Sequence, residues 1–167
     1  ALIAVQGSDI AFSPGFRWGT SVLAGEAITL ERLMDQTGIT YATATLTEMT
    51  GETIKVILED IADNLFNPDP YYQMGGDMVR VGGLKYAIDP NQKIGSRLSN
   101  LELNGKPLDP GKTYSVAGWA SVNPQPPGKQ VWEVVSEYLT DKKTIKEVKV
   151  NVPAVKGIEN NLGYASP

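Results

Sequence analysis

Three groups of side chains in this sequence have the chemistry to hold a ligand: Arg17 between Phe16 and Trp18, the run Tyr71-Tyr72-Gln73 with Arg80 further along the same loop, and Trp119 at the end of an apolar run. A guanidinium is a planar fork of donors that matches phosphate, sulfonate or carboxylate, so Arg17 is the first candidate for fixing an anion. The alternative puts Phe16 and Trp18 in the core, with Arg17 on the solvated face of an alternating strand. The chain has no histidine and no cysteine. That removes thiol nucleophiles, thiolate zinc sites, disulfides and imidazole bases together, and any metal held by this chain would need oxygen ligands alone.

The second group lies in residues 67–84, NPDPYYQMGGDMVRVGGL, a segment too rich in turn formers for a helix. Pro68 and Pro70 fix φ and push the residue before each toward extended conformations, so the tyrosines and Gln73 emerge from a stiff turn. The pairs Gly75-Gly76 and Gly82-Gly83 allow positive φ or close approach of another group. Between them Asp77-Met78-Val79-Arg80 alternates as a short strand with Arg80 on one face. A plain surface hairpin with a local Asp77 to Arg80 pair is the competing reading. Trp119 precedes the proline-rich stretch NPQPPG and either lines a pocket or caps the core.

The elements that must position these groups are short. Leu2 to Val5 and Ser8 to Phe12 are apolar runs that predict two strands or one interrupted strand, closed by the Ser13-Pro14-Gly15 turn. Thr29 predicts a helix cap, with Leu30, Leu33 and Met34 on one face and Gly38 as the stop. Residues 41–49 alternate as a strand. A helix capped by Thr50 or Thr53 follows, with Ile54, Ile57, Leu58, Ile61 and Leu65 in one buried stripe. Its acids Glu52, Glu59, Asp60 and Asp63 take the opposite side as a solvated face. Strands are predicted at 84–88, 97–103 and 113–117, with turns at Asp89-Pro90-Asn91, Asn104-Gly105 and Asp109-Pro110-Gly111. Val131, Val134, Val135, Tyr138 and Leu139 mark a third helix, and 145–150 alternates as a lysine-protected edge strand.

The 167 residues suffice for one core, and the hydrophobic content of 41% is ordinary. These elements predict an α+β fold: a mixed, mostly antiparallel sheet carrying two or three helices. Residues 1–150 form the domain and 151–167 an extended tail. No apolar run reaches the roughly 20 residues of a membrane span, and the first residues lack a basic start and cleavage pattern. A net charge of −4 gives no general attraction for nucleic acid or anionic lipid.

Four segments together, SPGFRWG, MTGETIKVILED, VGGLKYAIDP and LNGKPLDPGKTYSVA, resemble the C-terminal domain of the periplasmic five-prime-nucleotidase family in order and spacing. The resemblance implies a separate N-terminal metallophosphoesterase domain that holds two metal ions. It also implies that this domain contributes substrate-binding groups across a cleft. The family's base-stacking aromatics would fall near Thr40 and Ser121, neither of which offers a ring, and the GGDG motif is replaced by NPQPPG. The longer strings FSPGFRWGT and MTGETIKVILEDIADNLFNPDPYYQMGGDMVRVGG are similar to the sulfate thiohydrolases of the Sox pathway. That branch implies a periplasmic hydrolase with two manganese ions in the N-terminal domain, acting on a cysteine S-thiosulfonate of the SoxYZ carrier. Arg17 matches the family's substrate-binding arginine. Trp18, Tyr71, Tyr72, Gln73, Arg80 and Trp119 are then expected to wall a channel for the carrier's glycine-rich arm. A free-standing binding module for a peptide or small anion is the alternative, and a nucleotidase domain the third reading.

Overall fold

The computed structural model describes residues 1–15, 21–121, 123–145 and 150–159. Its elements in chain order are α1 (Leu2–Gln6), β1 (Ile10–Ser13), α2 (Leu30–Thr37), β2 (Thr45–Thr50), α3 (Gly51–Phe66), β3 (Arg80–Gly82), β4 (Leu84–Ile88), β5 (Leu98–Leu103), β6 (Lys106–Pro107), β7 (Thr113–Gly118), α4 (Val131–Lys142) and β8 (Ala154–Val155). They form two four-stranded sheets rather than the single sheet expected. One has the order β2-β7-β1-β3 and the other β6-β5-β4-β8. Both are mixed: β1 runs parallel to β7 and β4 parallel to β8, while the other pairs are antiparallel.

The strongest sequence pattern gives the central element. Thr50 Oγ1 accepts the Thr53 N–H at 3.1 Å and starts α3. Ile54, Leu58 and Ala62 are fully buried, with Ile57, Ile61 and Leu65 flanking them part-buried. They pack with Ile10, Leu84, Tyr86, Leu98, Tyr114 and Val116, so one core joins α3 to strands of both sheets. Alternation in β7 sends Tyr114 and Val116 into that core, while Ala117 meets Leu2 and Val134 in a second cluster under α1 and α4.

Two expectations change. The Leu2 to Val5 run is helical, not a strand: a short apolar run fits either period, and here Leu2 docks beside Val134 before Gly7 ends the turn at φ 70. On α2, capped by Thr29 as expected, only Leu33 and Thr37 are buried; the helix lies against α4, and Leu30 and Met34 stay exposed. The Asn104-Gly105 hairpin forms as predicted, with φ of 53 and 75 and Leu103 opposite Lys106. The predicted edge strand at 145–150 falls largely on residues 146–149, outside the described residues. In the tail, β8 joins the second sheet beside β4, and Asn151 Oδ1 accepts the Gly83 N–H at 3.1 Å.

Candidate substrate-binding site

Strand order decides which candidates meet. Because β1 lies between parallel β7 and antiparallel β3, the end of β1, the end of β7 and the start of β3 share one end of the sheet. Ser13 sits opposite Arg80 in the register. Trp119, just past β7, donates its indole N–H to Ser13 Oγ at 2.9 Å. Arg80, Ser13 and Trp119 line a cavity of about 380 Å³ whose apolar wall includes Ala11, Val81 and Val135. Trp119 therefore has both roles considered for it, packing beside the second core cluster and lining a cavity.

Arg17 and Trp18 lie outside the described residues. The turn that leads to them is described, however, and it touches the glycine-rich loop. A methyl group on Gly15 would lie 2.1 Å from Asp77 Cβ and 3.1 Å from the Met78 carbonyl oxygen, so residues 77–78 pack directly on this glycine. Gly15→Ala is expected to cost about 1–3 kcal/mol of stability, since neither a Cβ nor a backbone carbonyl can swing aside. A urea midpoint equal to that of the unsubstituted protein would show that the loop yields freely.

The tyrosines stand at a different place. Pro70–Tyr72 form a single 3-10 turn, with Tyr71 87% and Tyr72 61% exposed. Their rings meet edge to face, centroids 5.5 Å apart. Neither is among the residues lining the cavity of Arg80 and Trp119. Gln73 turns back toward the helix: its Nε2 donates to the Asn67 carbonyl at 2.7 Å.

The solvated face expected on α3 is the clearest correction. Glu59 is buried, and its carboxylate accepts the backbone N–H groups of Gly95 (2.9 Å), Arg97 (3.3 Å) and Leu98 (2.7 Å). One helical turn on, Asp63 Oδ1 accepts from Arg97 Nη1 at 2.6 Å. Arg97 itself is 1% exposed. A buried guanidinium needs carboxylate and carbonyl partners, and these two acids supply the carboxylate while pinning the backbone beside it. The signal in the sequence was the place of Glu59 between Leu58 and Ala62 in the buried stripe. The hydrogen bond from Arg97, then that from Asn67, holds the Asp63 carboxyl below its ordinary pKa. A depressed folded-state value stabilises the fold above the ordinary carboxylate range, and that contribution is lost as pH falls through the depressed value.

The sequence has no histidine or cysteine, and among the described residues no three or more Asp or Glu are grouped so as to hold a metal ion. No helix among the described residues is long and apolar enough to cross a membrane.

Comparison with known proteins agrees with the fold and the motifs. The family model of the 5'-nucleotidase C-terminal domain matches residues 1–124. The chain belongs to this family. Among solved structures it is similar to the sulfate thiohydrolase SoxB of Thermus thermophilus, solved with glycerol, at 39% identity and a TM-score of 0.83 over 93% of this chain. A putative 5'-nucleotidase from Staphylococcus aureus (15% identity, TM-score 0.70, 92% of this chain) and a 5'-nucleotidase precursor, also from Thermus thermophilus (20%, 0.67, 93%), share the fold. The chain spans only 30%, 34% and 33% of these three proteins, so it corresponds to one part of larger molecules. No curated protein sequence matches it.

Proposed function

We propose that this chain is the substrate-binding domain of a periplasmic sulfate thiohydrolase, which works with an N-terminal metallophosphoesterase domain to release sulfate from a cysteine S-thiosulfonate on the SoxYZ carrier. The likeness to SoxB at 39% identity across 93% of the chain carries this reading. Two nucleotidases with the same fold reach only 15% and 20% identity. The site supports it as well. Ser121, near where a base-stacking ring would be needed, spends its hydroxyl accepting from Asn123 N and Gln125 Nε2.

In the hydrolysis, water adds to the terminal sulfur and the bond from that sulfur to the carrier breaks. Sulfate leaves, the protons of the water pass to solvent, and the carrier cysteine keeps the inner sulfur of the thiosulfonate, with the electron pair, as a persulfide anion. The two manganese ions that would supply the attacking water belong, on this reading, to the N-terminal domain. The task of this chain is to hold two of the sulfonate oxygens through the planar fork of Arg17 as charge gathers on them. Arg80 and Trp119, beside the same turn, wall the approach with Trp18, while Tyr71 and Tyr72, at a separate place on the loop that Gln73 ties back to Asn67, offer exposed rings to a more distant part of the arm.

A glycine-rich arm offers few side chains to grip, so aromatic rings, Tyr72 exposed on the loop and Trp119 part-buried at the cavity, are the contacts whose loss should be felt. Tyr72→Ala and Trp119→Ala in the full-length protein are each expected to lower kcat/KM for the loaded carrier by about tenfold. Unchanged carrier turnover in both variants would remove these residues from the channel.

A further inference from the structure

We propose that Arg97, Asp63 and Asn67 are positioning residues for the tyrosine turn, linked to it by one continuous chain of hydrogen bonds that runs from the core to Tyr71. The proposal deepens the reading of Tyr71 and Tyr72 as a wall for the carrier arm and rests on it.

The chain starts at the buried guanidinium, whose backbone Glu59 already fastens to α3. Arg97 Nη1 donates to Asp63 Oδ1 at 2.6 Å, and Nη2 donates at 3.2 Å to the Phe66 carbonyl at the end of the helix. The second Asp63 oxygen accepts from Asn67 Nδ2 at 2.8 Å. Asn67 follows the last helical residue and serves the turn twice. Its Oδ1 accepts the Asp69 N–H at 3.0 Å, and its carbonyl accepts Gln73 Nε2 at 2.7 Å. Asp69 Oδ1 then accepts the Tyr71 N–H at 2.9 Å. The loop returns to α3 where the Gly75 N–H donates to the Asn64 carbonyl.

Such a chain has a purpose because the rings have little else to hold them. Tyr71 is 87% exposed, so its position comes from the backbone beneath it rather than from packing. Pro68 and Pro70 restrict φ but do not aim the turn relative to the helix. The bridge from Asp63 to Asn67 does, because each Asp63 oxygen is committed to a different partner. A buried group at the base and two exposed rings at the tip are thus joined without a gap.

The test uses the full-length protein and the variant Asn67→Ala, which sits past the helix end and leaves the Arg97 to Asp63 pair intact. Amide hydrogen exchange at residues 69–75 is expected to speed up roughly five- to tenfold, the loss of about one hydrogen bond, with Ile54 and Leu58 unchanged. For the thiosulfonate-loaded carrier, KM should rise while kcat stays constant, a split that general destabilisation does not produce. Arg97→Lys should act in the same direction, because an ammonium cannot reproduce the fork that reaches both Asp63 and the Phe66 carbonyl. Unchanged exchange at 69–75 in Asn67→Ala overturns the positioning chain. Faster exchange with no change in KM, where Tyr72→Ala also leaves KM unchanged, upholds the chain and overturns the carrier reading instead. Faster exchange with no change in KM, where Tyr72→Ala does raise it, overturns the functional half of the proposal.

Discussion

Arg17→Ala in the full-length protein is expected to lower kcat/KM for sulfate release from the loaded carrier by roughly a hundredfold to a thousandfold, the scale of losing one preorganised donor to an oxyanion. The expectation follows from the place of Arg17 in the chain, immediately after a turn that the fold anchors firmly. Ser13 is tied to Trp119 and paired with Arg80, and Gly15 is packed on Asp77. Arg17→Lys should recover only part of the loss, because a point charge cannot engage two sulfonate oxygens in one plane. Steady-state kinetics with the loaded carrier check this. A variant within threefold of the unsubstituted protein would remove Arg17 from the reaction and favour the bland reading of an arginine on a solvated strand face.

Glu59→Ala carries the second large effect, on stability. Removing this carboxylate strands the N–H groups of Arg97 and Leu98 in the interior and that of Gly95 at its edge. The cost should be about 3–5 kcal/mol, a large share of the roughly 10 kcal/mol that holds a domain of this size. Glu59→Gln should cost less, since one carbonyl oxygen remains to accept. Glu52→Ala, on the exposed first turn of the same helix, should stay within about 0.5 kcal/mol. Urea unfolding of the three variants gives the comparison, and equal midpoints for Glu59→Ala and Glu52→Ala would show that the buried carboxylate holds nothing.

What was legible in the sequence was local and periodic. The stripe of α3, its Thr50 cap and the Asn104-Gly105 hairpin follow from patterns whose cause lies within a few residues. Two things were not legible. The run Leu2 to Val5 is too short for its period to separate helix from strand, and the choice is made by Leu2 meeting Val134 far along the chain. The acids of α3 look alike by polarity, and although the place of Glu59 beside Leu58 hints at burial, what it holds inside, the backbone at Arg97 and Leu98, lies 38 and 39 residues away. The site divides in the same manner. Its residue types suggested an anion and the family resemblance a channel, but the placing of Arg80 and Trp119 on one cavity depends on the order β7-β1-β3, which no local signal encodes. Gln73, chosen as a channel residue, has its amide on the Asn67 carbonyl, a contact that turns on the path of the loop.

The direct test of substrate class is a competition in one vessel. The full-length protein, supplied with manganese, is given thiosulfonate-loaded SoxYZ carrier and adenosine monophosphate together, and sulfate and phosphate are measured over time. Sulfate release with the nucleotide left intact is the expected result. Phosphate release without sulfate would place the chain among nucleotide-binding domains and contradict the thiohydrolase reading.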